Sequence, residues 1–174
     1  MGAESTGKST LTQRLARELG TKFVPEYGRY VWEQKNGQLV PSDYVRIAAA
    51  HRAMEDQVRR GCNRYMIVDT NAITTMFFSY YYGRTGLPQL TQLAEECKGR
   101  YDCTLLCADD IPFEQDGWRD NAEWRARVQG MVMYDLTTRG IPWTVLTGSL
   151  EQRIRMARDV LSRIPPRTLS ENPS

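Results

Sequence analysis

Gly2-Ala3-Glu4-Ser5-Thr6-Gly7-Lys8-Ser9 is the stretch whose reading decides the fold. It fits the phosphate-binding loop pattern G-x-x-x-x-G-K-[ST] at every specified position. Glycine at 2 and 7 opens backbone angles that a Cβ closes. The loop can then curl until several N–H groups converge on one anion. A helix starting at the same point adds the positive end of its dipole. Lys8 brings a full charge to the β/γ-phosphates, and the Ser9 hydroxyl suits Mg²⁺. Leu11, Leu15, Ala16 and Leu19 then recur as a buried helix face requires. The expected nucleotide-binding set is Gly2, Ala3, Glu4, Ser5, Thr6, Gly7, Lys8, Ser9 and Thr10, with ATP and Mg²⁺ as ligand and cofactor.

A loop of this kind follows a buried strand, yet only Met1 stands ahead of Gly2. A first strand of about five or six residues is therefore expected to be missing, leaving a gap at the sheet centre. The 174 residues suffice for one domain with a sizeable core, expected over 1–164, with 165–174 as a Pro/Ser-rich disordered tail. A net charge of +2 argues against electrostatic binding to nucleic acid or anionic lipid. No apolar run is long enough to span a bilayer. Cys62, Cys97, Cys103 and Cys107 lack zinc-ligand spacing and read as reduced thiols of a cytoplasmic protein. The single His51 argues against a His-based metal site or triad and is left outside the catalytic set.

After Gly20, a C-cap, Lys22-Phe23-Val24 reads as a short strand stopped by Pro25. Glu26-Tyr27-Gly28-Arg29 follows at its carboxyl end, where open α/β sheets bind ligands. Ser42 is placed to cap a long helix through Arg60, with Val45, Ala48, Ala49, Ala53, Met54 and Val58 as its apolar side. Tyr65-Met66-Ile67-Val68-Asp69 is an apolar run ending in a carboxylate, expected to be buried on both faces of a parallel sheet. At that interval after the loop, Asp69 is the expected Mg²⁺ carboxylate, paired with Ser9. The aromatic run Phe77 to Tyr82 reads mainly as core packing. Thr104 to Cys107 and Ile141 to Gly148 supply the last strands, and Ser149 caps a final helix.

Between them, Pro112 to Asp120 is polar and carries Gly117. It sits where small kinases of this loop type carry a mobile lid, and a lid arginine closes on the transferring phosphoryl group. Arg119 is the first choice, with Arg125 and Arg127 in reserve on the next helix. Alternating strands and helices give an α/β fold, a P-loop NTPase three-layer sandwich around a parallel sheet. The catalytic set is then Lys8, Glu26, Asp69 and Arg119. Glu26 or Asp69 orients or deprotonates an acceptor hydroxyl.

The motifs Gly2 to Ser9, Glu26 to Arg29, Ser42-Asp43-Tyr44, Asp69-Thr70 with Ile73-Thr74-Thr75, and Asp116 to Arg119 resemble the ribosylnicotinamide kinase domain of NadR-type proteins. The resemblance runs in order over nearly the whole chain. It departs at Pro25, where bifunctional members carry an aromatic, and at Asn71, where they carry Asp. It implies ATP-dependent phosphorylation of the 5′-hydroxyl of nicotinamide riboside, a step of NAD synthesis. Glu26, Tyr27, Arg29 and Asn71 would bind the acceptor. The other class that the P-loop admits is a regulatory protein that binds ATP or GTP without small-molecule kinase activity.

Overall fold

The computed structural model describes residues 1–114 and 122–165. Its elements run α1 (Lys8–Glu18), β1 (Lys22–Val24), α2 (Tyr27–Gln34), α3 (Pro41–Arg59), β2 (Met66–Val68) and α4 (Ala72–Tyr81). They continue through α5 (Pro88–Glu95), α6 (Cys97–Arg100), β3 (Thr104–Cys107), α7 (Ala122–Thr138), β4 (Trp143–Leu146) and α8 (Leu150–Ser162). Strand and helix alternate, so each strand pair is parallel. β1 pairs with β2 through Phe23 and Ile67, and β3 pairs with β4 through Leu106 and Val145.

The strands lie between two helical layers. Because successive side chains leave a strand on opposite faces, Leu106 joins one core and Cys107 the other. Leu106 packs with Tyr44, Ile73, Leu90 and Leu136, contributed by α3, α4, α5 and α7. Cys107 packs with Leu11, Leu15, Ile154 and Leu161 of α1 and α8. The three-layer α/β expectation is met. The tail beyond residue 165 lies outside the described residues.

Among the described residues, β2 and β3 are not hydrogen-bonded to each other. Met1 lies along β3 instead: its amino group donates to Leu105 O at 2.7 Å, and Cys107 N donates to Met1 O at 2.9 Å. Met1 thus occupies the position where a strand entering the P-loop would end. Below it, a cavity of about 640 Å³ opens between Met66–Val68 and Thr104–Leu105. The gap expected at the sheet centre is present. It also corrects one reading, because Met66, Ile67 and Val68 are only half-buried rather than covered on both faces.

Helix boundaries follow local chemistry. Gly20, at φ 59°, closes α1, and Thr21 N reaches back to Ala16 O at 2.9 Å. Ser149 caps α8, and Gln152 returns the bond to its amide at 2.7 Å. The start of α3 differs from expectation. The helix begins two residues earlier, at Pro41 with Val40 in the cap position, and Asp43 accepts from Val40 N at 2.9 Å. Ser42 is exposed rather than the cap, because a proline at the first helical position sets the geometry.

The buried side of α3 is the larger correction. It is formed by Tyr44, Ile47, Ala48, His51 and Glu55, while Ala49 and Ala53 face outward. Two polar residues displaced the alanine stripe because they arrive with partners. Glu55 accepts from Arg100 Nε at 2.5 Å and from Tyr101 OH at 2.8 Å, and His51 Nδ1 lies 3.1 Å away. Burial alone would raise the Glu55 carboxyl, but these hydrogen bonds hold it below the usual range.

Removing one member of such a buried cluster strands the others. Glu55→Ala is expected to lower unfolding stability by about 3 kcal/mol in urea titrations at neutral pH. Because the folded-state value is depressed, that stabilisation is present above the usual glutamate range. It fades as pH falls through the lower folded value, and the gap between wild type and variant should narrow there.

Candidate active site

The loop from Gly2 to Ser9 adopts the turn its sequence requires. Gly2 sits at φ 133°, Ser5 at 53° and Gly7 at 76°. A Cβ on Gly2 would lie 2.7 Å from Cys107 O. The loop therefore passes against β3 only because residue 2 has no side chain. Gly7, left-handed, opens α1, so the amino end of an eleven-residue helix points into the loop. Lys8 Nζ donates to Ala3 O at 2.5 Å, and Thr6 Oγ1 donates to the same oxygen at 2.8 Å. Ala3 and Thr6 are buried, Glu4 is half-buried, and Thr10 is exposed on α1.

Asp69 follows β2 directly, and its amide donates to Val24 O at 2.9 Å, which extends the ladder by one residue. The turn places its carboxylate against the start of α1. Ser9 Oγ donates to Asp69 Oδ2 at 2.5 Å. Asp69 is 3% exposed, and its Oδ1 has no hydrogen-bond partner among the described residues. A buried, unsatisfied carboxylate oxygen beside a serine hydroxyl fits a hard divalent cation. Mg²⁺ takes few protein ligands and leaves its other positions to phosphate and water. Among the described residues no cluster of three or more His, Cys, Asp or Glu exists, so the donor set suits a phosphate-shared ion rather than a protein-caged one.

Glu26 stands at the carboxyl end of β1 and opens α2. Burial raises its carboxyl above the usual range, with Lys8 opposing and Asp69 reinforcing the effect. By exposure its side chain is half-buried. Tyr27 begins α2 and packs on Tyr30 with ring centroids 5.9 Å apart. Arg29, expected beside Glu26, extends along the outer face of α2 to Glu33 at 3.0 Å, and both side chains are about half exposed. Asn71 is drawn into the fold instead. Its Oδ1 caps α4 through Ile73 N at 3.0 Å, and its Nδ2 contacts Met1 Sδ at 3.4 Å.

Of the arginines considered for the lid, Arg119 lies outside the described residues. Arg127 pairs with Glu123 on the exposed side of α7 and is not brought to the site. Arg125 is brought there. Its guanidinium donates to Ile111 O at 2.8 Å and Ser5 O at 3.2 Å, over the Phe113 ring.

Three supporting residues escaped the sequence reading. Gln129 accepts from Ala3 N at 2.8 Å and donates to Cys107 O at 2.9 Å. Arg153 donates to Thr6 O at 2.6 Å, and Asp110 accepts from Gly148 N at 2.6 Å. A signal existed for two of them. Gln129 adjoins Val128 and Val132, and Arg153 adjoins Ile154 and Ala157, so each is a polar residue inside an apolar helix face.

This arrangement has counterparts. Residues 1–153 match the AAA domain family. The chain belongs to that family. It is 35% identical over 123 residues to the trifunctional NAD biosynthesis/regulator protein NadR of Salmonella typhimurium, a match covering 68% of this chain and 30% of that protein. The Escherichia coli K12 protein of the same name is 34% identical over the same shares. Among solved structures, a NadR protein in complex with NR superimposes with a TM-score of 0.71 and 25% identity, over 98% of this chain and 50% of that one. A deoxyadenosine kinase from M. mycoides superimposes with a TM-score of 0.62 at 12% identity, over 94% and 97%. That second likeness concerns the fold alone. The chain spans under a third of the two sequence relatives and half of the NadR structure.

Gly2 is the sharpest test of the loop geometry. Gly2→Ala combines a forbidden φ with overlap on a backbone oxygen, and strain of that kind costs about 1–3 kcal/mol. Calorimetric titration with ATP and Mg²⁺ should show binding reduced by at least about tenfold, the equilibrium change of 1.4 kcal/mol.

Proposed function

We propose that this AAA-domain chain is an ATP-dependent kinase that phosphorylates the 5′-hydroxyl of nicotinamide riboside or a close nucleoside-like relative. The observation that carries the proposal is the Ser9–Asp69 contact at 2.5 Å beside Lys8, with the half-buried Glu26 following β1 as Asp69 follows β2, the two strands being paired in parallel. A binding switch needs the first half of that arrangement and has no use for the second. The likeness to NadR, one of whose structures is a complex with NR, supports the choice of acceptor. Free cysteines at 62, 97, 103 and 107 fit a reducing, cytoplasmic setting.

In this reading the N–H groups of residues 2–9 hold the polyphosphate, aided by the dipole of α1. Lys8 exchanges Ala3 O for a phosphate oxygen. Ser9 and Asp69 would hold Mg²⁺, which when bound would supply charge neutralisation on the phosphates. Glu26 accepts the proton of the acceptor hydroxyl, while Tyr27 offers a ring for stacking. Arg119 would bring charge from the lid, and Arg29 from α2. Little covalent chemistry is left for the protein, so positioning and electrostatics carry the rate.

ADP should form from ATP and Mg²⁺ only when nicotinamide riboside is added, and Lys8→Ala should abolish that signal. Tight ATP or GTP binding with no nucleoside-dependent ADP would favour the regulatory reading instead. As a base, Glu26 works only when ionised, and its value is raised. The acid limb of kcat against pH should therefore lie above the ordinary glutamate range. Glu26→Gln should lower kcat by about a hundredfold and flatten that limb, while ATP affinity holds.

A further inference from the structure

Arg153 is 2% exposed, yet it lies near no reacting group named above. Its guanidinium offers five N–H donors in a rigid fork, and four contacts use them. Nε donates to Gly148 O at 2.9 Å, one terminal nitrogen donates to Thr6 O at 2.6 Å, and the other donates to Ala108 O at 3.1 Å and to Asp110 Oδ1. Asp110 also accepts from Gly148 N at 2.6 Å. Burial alone would raise the Asp110 carboxyl, but the Gly148 amide and Arg153 hold it low. One side chain on α8 thus ties the phosphate loop to the ends of both β3 and β4.

The decisive contact is the one to Thr6 O. A trans peptide is planar, with its C=O and N–H pointing in opposite directions, and the described residues contain no cis bond. Holding Thr6 O outward on Arg153 therefore turns Gly7 N–H toward the loop interior. Arg125 does the same for the preceding peptide through Ser5 O, turning Thr6 N–H inward. A loop curled into an anion nest must keep several amides convergent. Its carbonyls must then find donors on the outside, or the peptides flip to satisfy them.

We propose that Arg153 is a positioning residue for polyphosphate binding, fixing the Thr6–Gly7 peptide with its amide aimed at the phosphates, with Arg125 bracing the peptide before it. The proposal rests on the kinase reading only in needing a phosphate ligand in the loop. A shape-filling residue such as methionine can replace the stem of Arg153 and its packing, but not its hold on Thr6 O. Lysine keeps the charge and can reach one carbonyl, though without the fork.

The test compares wild type, Arg153→Met and Arg153→Lys by thermal unfolding, by calorimetry with inorganic tripolyphosphate and with ATP·Mg²⁺, and by kinetics. For folded Arg153→Met, tripolyphosphate and ATP affinity should fall at least about tenfold, the range of one charge-assisted hydrogen bond. KM for ATP should rise in step, while KM for nicotinamide riboside stays within error. Arg153→Lys should recover part of the loss. Unchanged tripolyphosphate affinity in a folded Arg153→Met overturns the proposal. So does failure of both variants to fold, which would make Arg153 a structural brace alone. Wild type that binds tripolyphosphate yet forms no ADP would defeat the kinase reading and leave this one standing.

Discussion

The structure depends on forcing the backbone from Met1, hydrogen-bonded along β3, into α1 through a turn that aims amides inward. Three residues of the loop take positive φ, and at Gly2 the carbonyl of Cys107 leaves no room for a Cβ. Such a turn is unstable unless its outward carbonyls find donors and its inward amides find an anion. The surroundings supply the donors: Lys8 and Thr6 for Ala3 O, Arg125 for Ser5 O, and Arg153 for Thr6 O. The inward amides, gathered at the start of α1, suit an anion.

The rest of the fold can be understood as delivery to that turn. Parallel strands place their carboxyl ends together, so Glu26 after β1 and Asp69 after β2 emerge on the same edge as the loop. The two carboxylates differ in exposure: Asp69 is buried and Glu26 is half-buried. Asp69 is bonded to Ser9, and its Oδ1 has no hydrogen-bond partner among the described residues. Burial raises the Glu26 carboxyl, the direction that the proposed base role needs.

What was legible in the sequence was chemistry written in consecutive residues. Gly2 to Ser9, the Asp69 that ends β2, the Gly20 stop and the Ser149 cap all depend on neighbours a few positions away. What was not legible depended on residues far apart. The inner face of α3 was misread because Glu55 is buried by virtue of Arg100 and Tyr101, 45 and 46 positions on. Arg153 supports Thr6 across 147 positions, and only its place among apolar neighbours hinted at it. Ser42 lost the cap of α3 to the stiffness of Pro41, a local effect that the hydroxyl obscured. Arg29 pairs with Glu33 along α2 and Asn71 caps α4, contacts that the motifs holding these two residues did not announce.

The core claim is that Ser9 and Asp69 share a metal-bound polyphosphate with the amide nest. A crystal of the chain grown with a non-hydrolysable ATP analogue and Mn²⁺ tests it directly, through the anomalous signal of the metal. The account places that peak within coordination reach, about 2–2.5 Å, of Ser9 Oγ and within one bridging water of Asp69, with Lys8 turned from Ala3 O onto phosphate. A peak elsewhere, or a nucleotide bound with Lys8 still on Ala3 O, would contradict it.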